Sequence, residues 1–226
     1  MWFVSAHDRS HGVLMTTPQE RKRAEREARR RRIQGAARPI FVERGFAATS
    51  IEQIARQAEM SVGAIYLYFQ SKEDLYISLL PEALAPLETT LAEGRTSGGS
   101  DRLTAAWDQL LTWSRNEAEG ARALGLLARP GLASQLSPEA ATGAAEAIAK
   151  IKEQLASSIS EGIEAGAYRR ADAAAVAKLV WSTFLGGLTL DLVATNLGQP
   201  LVDRNALIAV VEASLRADVS SIRRAA

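Results

Sequence analysis

The chain has 226 residues, 47% of them hydrophobic, and a formal net charge of +1. That is enough apolar material for one or two packed cores, and it argues against a disordered chain. There is no cysteine, and His7 and His11 are the only histidines, so disulfides, thiolate nucleophiles and cysteine-held metals are excluded, as are a histidine triad or histidine-held zinc in the body of the chain.

Carboxylate or lysine chemistry survives these exclusions, so an enzyme is disfavoured rather than ruled out. We expect no catalytic residue, no metal and no cofactor. A cysteine-free chain suits a reducing cytosol, and a cytoplasmic location is expected. Charge is uneven along the chain. Residues 1–80 carry 13 Lys/Arg against 9 Asp/Glu, and the remainder carries 14 against 17. A basic front suits contact with a polyanion.

Residues 1–18 show no hydrophobic period and are expected to be a disordered leader; Met15 could be the true start. His7 and His11 have helical metal-ligand spacing but read as incidental solvated residues. Residues 20–32 (ERKRAEREARRRR) contain the i,i+4 pairs Glu25–Arg29 and Glu27–Arg31 and can be helical. The run Arg29–Arg32 has no internal partners, which points it towards phosphates. Ile33, Ala36, Ala37, Ile40 and Phe41 form a helical stripe ended by Gly45. Pro39 interrupts it, predicting a kink or a helix that starts near Pro39. Next, either Ser50 with Gln53 or Thr49 with Glu52 forms a capping box. The helix it opens has Ile51, Ile54, Ala55 and Ala58 inside. The break Glu59–Val62 leads into a second short helix ending near Phe69, and Ser71 caps a further helix from Lys72.

Two helices of about eight residues joined by a tight turn make a helix-turn-helix. On the second, Val62, Ile65 and Phe69 face inward, and Gly63 and Leu67 face outward. At ~100° per residue Tyr66 and Tyr68 cannot both share the face of Phe69, so at least one is exposed. The outer face is small and smooth enough to enter a major groove. Tyrosine hydroxyls on its flanks can reach phosphates. Lys72 and the amides opening the next helix add a phosphate-binding helix start.

Beyond residue 80 the chain reads as helix throughout. Pro81 and Pro86 interrupt the fourth helix, and residues 94–100 (GRTSGGS) form a loop. Leu103, Trp107, Leu110 and Trp113 mark one helix; Ile148, Ile151, Leu155, Ile159 and Ile163 mark another, closed by Gly166. Asp172 caps a helix running to about Asn196, and a last helix spans 203–222. The longest apolar stretch, Leu179–Leu190, is too short to span a bilayer, so no membrane partner is expected. Between Ala173 and Thr195 apolar residues point in every direction, and Gly186–Gly187 permits a close approach. With the stripe Ile208, Val211, Leu215 and Ile222, this suggests a four-helix bundle across a twofold axis, hence a homodimer. A monomer in which both helices complete one core is the alternative.

The elements Gly45-Phe46, Thr49-Ser50, Ile54-Ala55, Ser61-x-Gly63-x-Ile65-Tyr66-x-Tyr68-Phe69 and Lys72-Glu73-x-Leu75 resemble the tetracycline-repressor (TetR) family of regulators, over about residues 33–80. Two departures stand out: Glu59 where the family often has Gly, and Pro39 in the first helix. A left-handed Glu59 would carry strain on the order of 1 kcal/mol. The resemblance implies an all-α fold with a three-helix helix-turn-helix domain at 19–76, and an effector-binding and dimerisation domain at 77–226. It implies a homodimer that binds double-stranded operator DNA and a small-molecule effector. Thr49, Ser50, Tyr66, Tyr68 and Lys72 would grip phosphates, with Ser61 opening the reading helix; Gly63, Ala64 and Leu67 would lie against bases. The effector pocket would draw on Trp107, Leu111, Trp113, Leu124, Leu127, Trp181 and Phe184, suiting a flat or lipophilic ligand, although each residue alone could be plain core. A DNA-binding interaction protein or partner-controlled activator without a small ligand is the second reading. A helical enzyme with an incidental helix-turn-helix is the third.

Overall fold

A computed structural model describes residues 17–96, 102–198 and 203–216. Among them the fold is all-α: α1 (Pro18–Ala48), α2 (Ile51–Gln57), α3 (Val62–Tyr66), α4 (Lys72–Ile77), α5 (Leu80–Thr96), α6 (Arg102–Asn116), α7 (Ala118–Leu126), α8 (Pro138–Glu164), α9 (Ala173–Leu197) and α10 (Arg204–Leu215). The leader expected at 1–18 lies outside the described residues up to position 16, as do His7 and His11. Thr17 and Pro18 are described and open α1: the Thr17 side chain and Glu20 form a reciprocal capping box, with Pro18 at the first helical position.

α1 departs from its sequence reading. It runs on through Pro39, and its one non-helical residue is Gly45 at φ +74°. Pro39 is exposed, so water can take the Gly35 carbonyl that the proline leaves without a donor. The inner stripe Ile33, Ala37 and Phe41 is buried against Ile51 and Ile54 of α2, Ile65 of α3, and Phe69 and Leu75. α3 is shorter than expected, ending at Tyr66 rather than near Phe69. The amides of Tyr68 and Phe69 both return to the Ile65 carbonyl, which closes the last turn early.

The remaining helices form a bundle in which α8 packs on α5, α6 and α9, and α10 lies on α9 and α6. Its centre is aromatic: Phe184 meets Trp181 at 5.6 Å, Trp107 at 6.2 Å and Trp113 at 6.3 Å between ring centroids. Gly162 is needed here, because a Cβ would meet the Tyr168 ring at 2.4 Å. The break expected at Pro81 and Pro86 falls earlier, at Ser78–Leu79 between α4 and α5; Pro86 sits inside α5. The last helix ends at Leu215, not 222. Residue 216 turns extended and bridges to Tyr168, and the Arg169 amide donates to the Leu215 carbonyl at 2.8 Å. Ile222 lies outside the described residues.

The stretch 173–191 is long and apolar enough to cross a membrane by composition alone, longer than the twelve residues read from sequence. In the fold its Val180, Trp181, Phe184 and Leu188 are buried in the bundle.

Candidate nucleic-acid interface and the bundle behind it

α2 and α3 are too short to stand alone, and each is pinned at its start by a side chain. Ser50 forms the capping box with Gln53: its Oγ accepts from the Gln53 amide at 3.3 Å, and Gln53 Oε1 accepts from the Ser50 amide at 2.9 Å. The competing box is excluded because Thr49 is buried and its hydroxyl donates to the Gly45 carbonyl at 2.7 Å. Glu52, free of that role, sits over the first turn of α2; a hydrogen bond from its own backbone amide and one from Ser50 hold its carboxyl below the usual range. Ser61 Oγ caps α3 through the Ala64 amide at 3.1 Å. The turn between them contains Glu59 at φ +54°, the left-handed conformation in which a side chain is strained.

The outer face of α3 is open. Tyr66 is 51% and Leu67 70% exposed; Ser61 and Gly63 are exposed and Ala64 half-exposed. A Cβ on Gly63 would meet nothing within 4 Å. Tyr68 is half-buried under the Arg26 guanidinium, 5.3 Å from its ring centroid. Of the nine expected interface residues, these seven — Ser50 and Ser61 included — reach the surface, and Thr49 does not. Lys72 is intermediate. Its ammonium donates to the Phe46 carbonyl at 2.9 Å and the Thr49 carbonyl at 2.8 Å, over the Phe46 ring. Two of its three donors tie down the α1–α2 turn, leaving one.

Sequence reasoning placed Arg30 in a phosphate-directed run and missed its place in the core. It is buried, donates to the Tyr68 carbonyl at 2.6 Å, lies 4.4 Å over the Phe69 ring and pairs with Glu139 at 3.3 Å. The reading of Arg29–Arg32 as an unpaired run is corrected accordingly: Arg30 pairs with α8, and Arg32 pairs with Glu59 at 2.8 Å. A signal existed, since the stripe Ile33, Ala37 and Phe41 projects back one turn onto Arg30.

Asp74 is the second missed residue. It is fully buried at the start of α4 and accepts from the Gln70 amide at 3.0 Å and from the Ser137 amide and hydroxyl at 2.9 and 2.8 Å. One carboxylate thus holds the start of α4 and the start of α8 together. Ser71 adds a bond to the Gln135 carbonyl at 2.7 Å. On the other side of α4, the Tyr76 hydroxyl donates to Glu119 Oε2 at 2.6 Å. Burial, with that carboxylate beside it, pushes the Tyr76 phenol well above its ordinary pKa.

The seven expected effector residues come together only in part. Trp107, Trp113, Trp181 and Phe184 share the central cluster, and Leu111 and Leu124 are also buried; Leu127 is half-buried. The Trp107 indole N–H is buried with no hydrogen-bond partner. A groove of about 380 Å³ runs between α5 and α6, lined by Pro86, Leu87, Thr90, Asp108, Thr112, Trp113 and neighbouring polar residues. Trp113 is the one expected residue on its wall.

The proposed dimer stripe also needs correction. Ile208, Val211, Leu215 and Leu188 are buried within the chain. Among the described residues, the exposed large apolar side chains on these helices are Leu179, Val193 and Leu197 of α9 and Val210 of α10.

An exposed short helix on a capped three-helix unit, backed by a helical bundle, defines a helix-turn-helix protein with an attached bundle. Residues 33–79 match the family profile described as bacterial regulatory proteins, tetR family. The chain is 38% identical over 84 residues to the transcriptional regulator HbdR of Aromatoleum sp. (strain CIB), covering 36% of this chain and 37% of that protein. It is 29% identical over 102 residues to the transcriptional activator FasR of Mycolicibacterium smegmatis, covering 44% and 47%. These matches span less than half of either relative. Among solved structures, FadR of Bacillus subtilis in complex with stearoyl-CoA superposes with a TM-score of 0.60 at 22% identity, covering 81% of this chain and 97% of that one. Residues 33–79 thus match a tetR-family DNA-binding region, and the relatives matched there are named as regulators of transcription.

Proposed function

We propose that the chain is a dimeric, cytoplasmic repressor that binds a palindromic operator and leaves it on binding a lipophilic or aromatic effector. The observation that carries this reading is the open face of α3. Gly63, Ala64, Tyr66 and Leu67 present a low, apolar surface that fits a major groove and can meet thymine methyls. Ser50, Ser61, Tyr66, Tyr68 and the remaining Lys72 donor surround that face as phosphate contacts. Thr49 acts from within, by fixing the turn that Lys72 straps. The DNA-binding unit comprises residues 19–76 and the effector and dimer unit 77–226.

The effector reading rests on the aromatic centre. A ligand entering the α5–α6 groove meets Trp113 first, and Trp113 borders Phe184. The unpartnered Trp107 N–H offers a donor for one polar atom of such a ligand. That FadR was solved with stearoyl-CoA favours a lipophilic ligand. A specific observation favours the alternative of an activator: FasR is named as one.

The dimer would use the outer face of α9, where Leu179, Gly186 and Val193 recur at heptad spacing and are exposed, with Val210 of α10 beside them. Leu179→Glu with Val210→Glu should give a folded monomer in sedimentation. A wild-type monomer would overturn the dimer.

The experiment for the reading as a whole is enrichment of duplexes from a randomised pool by the full chain. Recovery of an inverted repeat supports it; recovery of no preferred sequence overturns it.

A further inference from the structure

α1 begins 15 residues before the family match, at Pro18 rather than at residue 33. Those extra turns are strongly patterned. At ~100° per residue, Lys22, Arg23, Arg29 and Arg30 all lie within about 60° of the direction of Arg26, and Glu20, Glu25 and Glu27 lie about 100° or more away. One face of the extension therefore carries five cations and no acid. It is the same face that, further along, buries Ile33, Ala37 and Phe41 in the core of the reading unit.

The stripe starts where α3 ends. Arg26 donates to the Leu67 carbonyl at 3.4 Å, and Arg30 to the Tyr68 carbonyl at 2.6 Å. Both also lie over aromatic rings just past α3, Tyr68 and Phe69. These two arginines register the extension against the reading helix. Lys22, Arg23 and Arg29 are exposed, and none has an ion-pair partner among the described residues. From Arg26 to Pro18 the helix projects about 12 Å beyond the contact with α3, a reach of about three to four base steps.

We propose that this N-terminal extension of α1 is a second DNA-contacting surface, in which Lys22, Arg23 and Arg29 take backbone phosphates beyond the stretch read by α3. The proposal rests on the reading of α3 as a DNA-binding helix. It adds a prediction of its own: the protected site is longer at one edge of each half-site, and the added length depends on charge and not on base sequence.

The test uses the full chain and a fluorescent duplex enriched from a random pool by the wild-type protein. The variant is Lys22→Gln, Arg23→Gln and Arg29→Gln together; all three sites are exposed and Gln is a good helix former, and circular dichroism checks the fold. The slope of log affinity against log salt should become shallower by roughly 5 for the dimer, at about 0.9 per phosphate contact and three contacts per subunit. Hydroxyl-radical protection should recede at one edge of each half-site, and the enriched sequence should stay the same. A variant with unchanged slope and footprint overturns the second surface while the reading of α3 stands. Wild-type protein that enriches no duplex overturns both.

Discussion

The DNA-reading unit and the bundle behind it are built by different means. In the reading unit every helix is opened by a hydroxyl that accepts an amide: Thr17 with Glu20 on the long α1, and Ser50 with Gln53, Ser61 with Ala64 and Ser71 with Asp74 on three helices of five to seven residues. In the bundle the helices run up to 27 residues; α8, α9 and α10 are also capped, by Ser137, Asp172 and Asp203, but what places them is which apolar faces meet. A helix of five residues cannot persist on propagation alone, so its ends must be specified locally. A long helix depends less on its cap, and its position is decided by packing partners far away in sequence.

If that contrast holds, the largest stability loss should come from the bundle. Phe184 touches three tryptophans, and Phe184→Ala should cost roughly 3–5 kcal/mol in urea unfolding. A loss under about 1 kcal/mol would mean that the aromatic centre is loosely packed.

Asp74 is where the two modes meet, a local polar signal serving a long-range contact. Asp74→Ala removes the acceptor of the Gln70 and Ser137 amides and of the Ser137 hydroxyl, and it should cost about 3 kcal/mol and loosen α8 against the reading unit. Hydrogen exchange at the Ser137 amide should rise with it; unchanged exchange there would detach the two regions.

Within the reading unit the effects should be smaller. Ser50→Ala removes one cap and should cost about 1 kcal/mol of thermal stability. Glu59→Gly should go the other way, gaining about 0.5–1 kcal/mol by relieving the left-handed residue. The Arg32–Glu59 pair it removes is largely exposed and contributes little. Destabilisation by Glu59→Gly would show that the pair matters more than the backbone.

The same contrast explains what could be read from the sequence. The helix-turn-helix was legible because its signals are local: the caps, the stripe and the small outward residues all lie within 30 residues. Legibility failed where a partner is remote. Lys72 reads as a free phosphate ligand until the carbonyls of Phe46 and Thr49, 26 and 23 residues back, are placed beneath it. Between the two capping boxes at 49–53 the sequence offers no choice; the Gly45 carbonyl decides it by taking the Thr49 hydroxyl. In the bundle, the apolar character of α9 was plain, but not which side its neighbours cover. Leu188 faces inward and Leu179 outward because of where α8 and α10 pack, and no pattern within α9 carries that information.

The most direct test of the account is whether the outer face of α3 reads base sequence. Wild-type protein and Leu67→Ala should be run through the same randomised duplex pool, and each enriched motif compared along with its salt dependence. Leu67 is 70% exposed and carries no charge, so its removal should change base preference within each half-site and leave the salt slope intact. Half-sites should repeat at about 34 Å or a related spacing. An identical motif from both proteins would contradict the assignment of α3 as the reading helix.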